Sequence, residues 1–387
     1  MTDKKRKKIG FVTYWFNRGQ GTVSRYIRSI FDSEGFETAV LARPTKDGFF
    51  LPRFIDERDV WSQEAVTKSS SYEVPIKEYL TWIKQERPDV VFFDQNYDFD
   101  SIFKIKALGV KTIGRFVWES FAEKDVQPAK KAFSVIYSLT KCEQERYKSL
   151  GIDSPLLRWG CHPEILAEEI KRKRDAITFF YPAGYLSARK PTGAVIKAFE
   201  GLKAPSIRLI IKTQRPLRKA DTIIPQKGED IRKKRSLMLR QQGEADADEL
   251  LTDERIEVVT GDFSTKAYYE LMKSCHVCVC PSRWEGLGLH FYEALGLKLP
   301  IVANDIPPIN EAVTHNVNGL LVKSFAVGKA KSGITAYEPD VEDLRSAMEE
   351  IIAAPSRNRM AQAAEELSRT KFSWANTVHD FRKVIDL

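Results

Sequence analysis

Nothing in this chain of 387 residues is apolar for long enough to cross a bilayer. Its apolar runs, such as residues 9–16 and those around 89–93, fall far short of the roughly 20 residues that a spanning helix needs. No apolar segment or cleavage site follows the basic start MTDKKRKKIGFV, so no secretory signal is expected and the cytoplasm is the expected location. Cysteine is scarce. The five thiols, at 142, 161, 275, 278 and 280, are an odd and sparse set, which argues against a disulfide framework and predicts reduced thiols. The run Cys275-His276-Val277-Cys278-Val279-Cys280 lacks the distant second half of a structural zinc site. Strand alternation instead makes Cys278 and Cys280 small core residues on one face. Tandem repeats and low-complexity tracts are missing too.

What is present describes a globular protein, with 43% hydrophobic and 29% charged residues. The length exceeds one ordinary core, so two domains are expected. Much of the net charge of +8 sits in two runs, residues 4–8 (KKRKK) and 171–174 (KRKR). Solvated surface is the first reading of both. The second is peripheral contact with anionic headgroups at the inner face of a membrane, worth about 1 kcal/mol per basic residue. It would suit a lipid-linked acceptor. Nucleic acid is not expected, because aromatics do not interleave the basic runs and no reader motif is visible.

Residues 8–16 read as a strand, Asn17-Arg18-Gly19-Gln20-Gly21 as a glycine turn, and 22–32 as a helix. That order opens a phosphate-binding type of α/β domain, although the third glycine of the dinucleotide fingerprint is missing. Short strands at 36–42, 90–93, 112–116 and 135–138 alternate with helical stretches such as 76–85 and 143–150, which predicts a parallel sheet with helices on both faces. The pattern loosens near 158–173. A second series then runs through strands at 177–181, 208–212, 256–260, 276–280 and 300–303, with a turn at Ala183-Gly184 and a helix over 192–202. Residues 215–253, polar and weakly periodic, read as an inserted excursion. Two D-x-D triplets, Asp98-Phe99-Asp100 and Asp246-Ala247-Asp248, read as surface loops and not as a metal site.

The most informative stretch is 281–300, PSRWEGLGLHFYEALGLKLP. A strand ends, two glycines follow in a short loop, and a helix opens. Glycine lets backbone approach a ligand, and the helix start aims N–H groups and positive dipole at an anion such as phosphate. Carboxylates repel phosphate, so Glu285 and Glu293 need another partner. Sugar hydroxyls are that partner. His290, at the helix start, is either a packing residue or a donor to the sugar or phosphate.

The spacing Glu285-x7-Glu293, followed by LPIVANDIPPINEAVTHNVNGLLV, resembles the retaining glycosyltransferases of family four. YPAGYLSARKP is similar to that family's glycine turn with a basic pair, and GDFSTKAYYELMKSCHVCVCPSRWEGLGL to the approach to its signature. The resemblance covers most of the C-terminal half and is thinner before it. It implies an α/β protein of GT-B fold, with two Rossmann-like domains facing across a cleft. Residues 1–165 would bind the acceptor and 166–370 the nucleotide sugar, and 371–387 would form a helix packing back on the first domain.

It further implies a metal-independent, cofactor-free transfer from a UDP- or GDP-linked sugar to a carbohydrate, lipid-linked or small-molecule acceptor. Glu285, Lys190 and Arg189 would be catalytic. Glu293 would bind the ribose, while Gly286, Leu287, Gly288 and Leu289 offer N–H groups to the sugar and diphosphate. Gly184 and Asp262 complete the donor side; Gly19, Gly21 and Glu119 are acceptor-side candidates. Two positions depart from the pattern: Tyr185 stands where an Arg is common, and Trp118-Glu119 where a His-Asp pair is common. A non-catalytic nucleotide-sugar-binding protein and a sugar-nucleotide epimerase are the alternatives.

Overall fold

Short apolar runs without alternation are buried on both faces, which requires a sheet covered by helices on each side. The computed structural model describes residues 7–46, 54–117, 120–166, 176–241, 251–330 and 333–387. The chain divides into two compact units, Met1–Trp159 with Ala375–Leu387, and Gly160–Trp374.

Unit 1 runs through β1 (Lys8–Tyr14), α1 (Gly19–Ser33), β2 (Glu37–Arg43), β3 (Val66–Lys68), α2 (Ile76–Glu86) and β4 (Val90–Asp94). It continues with α3 (Phe99–Ala107), β5 (Lys111–Arg115), α4 (Glu123–Ala132), β6 (Val135–Ile136) and α5 (Lys141–Ser149). The strands form one six-stranded sheet ordered β3-β2-β1-β4-β5-β6, parallel at every pairing. On one face Val12, Leu41, Val91 and Phe93 meet Trp82, Ile102 and Phe133 from the helices.

Unit 2 begins with α6 (Pro163–Leu166), β7 (Ile177–Gly184), α7 (Thr192–Glu200), β8 (Ile207–Thr213), α8 (Ile231–Gln241), β9 (Ile256–Thr260), α9 (Thr265–Lys273) and β10 (Val277–Val279). Then come α10 (Leu289–Gly296), β11 (Ile301–Asn304), α11 (Ile309–Ala312), β12 (Gly319–Val322), β13 (Ser324–Lys329), β14 (Thr335–Pro339), α12 (Val341–Ile352) and α13 (Ala354–Arg369). Its sheet is ordered β12-β11-β10-β7-β8-β9, again all parallel, and β13 pairs antiparallel with β14. Both sheets therefore share one wound order, which reverses between β1 and β4 in unit 1 and between β7 and β10 in unit 2. Sheets of this kind take ligands beyond the C-terminal strand ends at that reversal.

The last helix, α14 (Trp374–Val384), places the Phe381 ring against Phe92, Tyr137 and Trp159 of unit 1. Asp380 accepts from Arg158 Nε at 2.8 Å and Nη2 at 2.7 Å. Lys7 pairs with Asp386 at 2.5 Å and Lys8 with Glu86 at 2.9 Å, so this end of the basic run 4–8 is paired within unit 1. Residues 4–6 and 171–174 lie outside the described residues. Among the described residues no helix is long and apolar enough to cross a membrane, and all five cysteines are free thiols.

Three local readings change. Helix α1 starts at Gly19 and absorbs the expected glycine turn; a Cβ on Gly21 would stand 2.4 Å from the Phe16 carbonyl oxygen, so strand end and helix meet closely only over glycine. Asp98 is the N-cap of α3, its side chain accepting from Ser101 N–H at 3.2 Å, worth about 1 kcal/mol; the second D-x-D triplet lies outside the described residues. Residues 215–241 are more than an excursion. Asp221, fully buried, accepts from Arg215 at 2.8 Å and Arg235 at 2.6 Å, and Ile223 and Ile231 pack with Val327 and Ala336 in a small core.

Candidate functional site

The reversal point of unit 2 gathers the loops after β7 and β10. β7 ends at Gly184, whose φ of +56° is left-handed, and the chain then passes through Arg189 and Lys190 into α7. β10 runs on through Cys280, Ser282 and Arg283 to Glu285, and the loop closes at Gly288, the N-cap of α10 with φ +73°. A Cβ at Gly288 would meet the Phe291 ring at 2.5 Å. Only glycine takes both that backbone and that contact, so the tight entry of α10 depends on it. Gly286 and Leu287 are buried in the loop, and Leu289 is the first residue of α10.

The side chains converge. Lys190 Nζ donates to Glu285 Oε1 at 2.9 Å, to Ser282 Oγ at 2.9 Å and to Cys280 Sγ at 3.3 Å. Arg189 Nη1 lies 3.3 Å from Glu285 Oε2. His290 Nε2 lies 3.0 Å from Cys280 Sγ and 3.8 Å from Glu285 Oε1. Burial alone would raise the Glu285 carboxyl, yet Arg189 and Lys190, with His290, hold it far below the usual carboxylate range. Burial pulls the Lys190 ammonium down, but facing Cys280 and Glu285 raises it on balance. Burial and the Lys190 charge push His290 down to about 3, so its ring is neutral. A paired, ionised cluster of this kind in water-poor surroundings is poised to act on charge in a ligand.

Glu293 lies further along α10 and feels the Lys190 charge. Tyr268 Oη donates to its Oε2 at 3.4 Å, and burial raises the carboxyl to about 7 against that bond. Asp262 is exposed after β9, at the sheet edge. Beside it, Lys212 Nζ donates to the Gly261 carbonyl at 2.6 Å. Thus Glu285, Lys190 and Arg189 are brought together with the glycine loop, Glu293 bonds Tyr268 and feels the Lys190 charge, and Asp262 lies at the sheet edge.

In unit 1, Gly19 and Gly21 lie in the first turn of α1 after β1, at that unit's reversal point. Across it, β4 ends in Asp94, which burial raises to about 7 despite Arg115 at 3.9 Å and Arg43. Glu119 lies outside the described residues.

Sequence reasoning passed over several residues here. Cys280 is buried as expected, and it also touches Lys190 and His290. Arg283, 2% exposed, donates from Nη1 to the carbonyls of Ala188 at 2.8 Å and Lys190 at 3.0 Å, and its Nε bonds the buried Glu338 carboxylate. Asn304 donates to the Pro281 and Ser282 carbonyls, both at 3.1 Å. Cys280 and Arg283 tie the two loops to each other, and Asn304 holds the loop after β10. Their partners are distant in sequence, so no local motif marks them.

Residues 164–367, more than half of the chain, match a family model described as glycosyl transferases group 1. Alpha-maltose-1-phosphate synthase of Mycolicibacterium smegmatis is 34% identical over 120 residues, which are 30% of this chain and 29% of that protein. Alpha-D-kanosaminyltransferase of Streptomyces kanamyceticus is 28% identical over 116 residues, 30% of this chain and 26% of that protein. The matches thus span less than a third of these relatives. Among solved structures, sucrose-phosphate synthase of Thermosynechococcus elongatus superposes with TM-score 0.68 at 14% identity, covering 98% of each chain. HepE of Anabaena in complex with UDP-glucose gives 0.67 at 14%, covering 98% of this chain and 100% of that one. WaaG, a glycosyltransferase involved in lipopolysaccharide biosynthesis, gives 0.60 at 14%, covering 98% of each. The fold is GT-B.

Proposed function

Because the chain belongs to the glycosyl transferases group 1 family, we propose that it is a retaining, metal-independent glycosyltransferase that moves a sugar from a nucleotide diphosphate sugar to an acceptor hydroxyl. The cluster of Glu285, Lys190 and Arg189 at the glycine loop carries this reading, with both cations within 3.3 Å of the carboxylate. A departing diphosphate gathers negative charge as the glycosidic bond breaks. Cations and N–H groups already in place act mainly on that transition state, since they need no reorganisation when the charge appears.

Lys190 and Arg189 take the diphosphate, sharing their charge between it and Glu285. The loop N–H groups of Gly286, Leu287, Gly288 and Leu289 add to them at the start of α10. Glu285, held ionised, stands beside the donor sugar and faces the positive charge that develops at its anomeric carbon. Glu293, with Tyr268 behind it, takes the ribose hydroxyls; Gly184 gives the diphosphate close access and Asp262 lies on the base side. The bond from the anomeric carbon to the diphosphate oxygen breaks as the acceptor oxygen bonds to the same face. The acceptor proton passes to the departing oxygen, so no protein nucleophile is required. Gly19 and Gly21 are the acceptor-side positions retained.

HepE in complex with UDP-glucose supports a UDP-linked donor as the first to test, with GDP-linked sugars next. WaaG, through its role in lipopolysaccharide biosynthesis, supports a carbohydrate or lipid-linked acceptor, and the basic sequence at 171–174 suits peripheral contact at the inner membrane face. A small-molecule acceptor is the other class to include.

Kinetics of two variants test the assignment. Glu285→Gln should lower kcat by about 10²–10³ with donor Kd nearly unchanged. Glu293→Ala should weaken donor binding and leave kcat within a few-fold. Equal, affinity-only losses in both would refute the division of roles, and a covalent sugar adduct on Glu285 or an inverted product would refute the mechanism.

A further inference from the structure

We propose that the trio Cys280, Glu285 and His290 is a binding site for a thiophilic divalent cation of the zinc class, which takes the place of the Lys190 ammonium and thereby shuts the site. The three side chains offer one sulfur, one nitrogen and one oxygen, and these atoms all lie within 4.8 Å of one another. Sγ and Nε2 are 3.0 Å apart, and Nε2 and Oε1 3.8 Å. A tetrahedral zinc with bonds of about 2.0–2.3 Å sets its ligand atoms roughly 3.3–3.7 Å apart. Two of the three separations lie near that range, and the third, from Sγ to Oε1, is at most 4.8 Å.

The chemistry of the set selects the ion. A thiol and an imidazole suit zinc and its softer neighbours, whereas magnesium and calcium favour all-oxygen shells. On binding, the Cys280 S–H bond breaks, its proton leaves to solvent, and a sulfur–metal bond forms. Thiolate and carboxylate together then balance the two positive charges, and Lys190 is no longer needed as counter-ion. A cation already occupies this place: Lys190 Nζ sits 2.9 Å from Oε1 and 3.3 Å from Sγ. Three protein ligands leave the fourth position open to water.

The ligands come from the end of β10, the loop and the first turn of α10, in the spacing C-x4-E-x4-H. Cys280 is buried as its strand position predicts, and its nitrogen partner lies ten residues downstream. The metal site follows from geometry alone. Its consequence, competition with a nucleotide-sugar donor for Lys190 and Glu285, rests on the proposed function.

Cobalt(II) serves as the probe on the reduced, metal-stripped full chain. One equivalent should produce a thiolate-to-cobalt charge-transfer band that zinc then abolishes. Cys280→Ser should remove the band, which separates it from the other four thiols, and His290→Asn should weaken binding at least tenfold. Lys190→Met should tighten binding at least tenfold by removing the competing ammonium. A wild-type titration without the band, or a band that survives Cys280→Ser, overturns the site, provided circular dichroism shows the variants folded. Added donor should weaken apparent cobalt affinity. If the band forms as described and a bound donor leaves it unchanged, the metal site stands and the donor placement fails.

Discussion

Removing the Arg283 guanidinium should loosen the loop that presents Lys190. Arg283 and Glu338 are 2% and 0% exposed, Arg283 Nε bonds Glu338 Oε2, and Oε1 has no hydrogen-bond partner among the described residues. Arg283→Met would strand a buried carboxylate, which costs about 3–5 kcal/mol, and would free the carbonyls of Ala188 and Lys190. For a unit of this size each kcal/mol moves the melting temperature by about 2–4 °C, so a fall of about 6–20 °C is expected. Replacing both partners, as Arg283→Met with Glu338→Leu, removes the stranded charge and should restore at least about 2 kcal/mol, since apolar replacements of buried pairs are often neutral. The freed carbonyls account for what is not restored. Calorimetry that resolves the two units measures the stability, and donor titration should show Kd raised at least about tenfold, or roughly 1.4 kcal/mol. A single variant melting within about 2 °C of the parent, or a double variant no more stable than the single, would refute the clamp.

Two further outcomes follow from the site. The Glu293 carboxyl, raised by burial to about 7, keeps its proton in the folded protein at pH values where the unfolded chain has lost it. Its contribution to stability is therefore full below the unfolded value near 4.5 and falls as pH rises toward 7, by roughly 3 kcal/mol at most. Glu293→Gln should flatten this part of the profile, and identical pH slopes in parent and variant would contradict the raised value. EDTA should leave turnover at or above that of untreated enzyme; loss of turnover restored by magnesium would contradict the metal-independent transfer.

How much was legible in the sequence depended on distance along the chain. Glu285, Gly288 and Leu289 are contiguous, and a strand end, glycine loop and helix start show themselves in a single window. Alternating strands and helices likewise disclosed both parallel sheets, because burial on two faces leaves unbroken apolar runs. Lys190 and Arg189 could be named only through the family resemblance, since nothing local ties residue 190 to residue 285. Arg283 with Glu338, and Asn304 with Pro281 and Ser282, were invisible because such pairs are chosen by tertiary packing. Cys280 was rightly placed in the core, but its contacts with Lys190 and His290 were not foreseen, because period-two alternation tells which face a strand residue shares, not what sits opposite. The small core of Ile223, Ile231, Val327 and Ala336 was missed because its apolar members come from two segments about a hundred residues apart.

The central claim is that Lys190, Arg189 and Glu285 form a nucleotide-sugar site, and a thermal-shift screen across UDP- and GDP-linked sugars tests it most directly. A donor held at a hundredfold excess over its Kd adds about 2.7 kcal/mol of stability. At least one donor should produce that shift in the parent, and the shift should vanish or shrink strongly in Lys190→Ala. No shift from any nucleotide sugar, or an equal shift in parent and variant, would contradict the account.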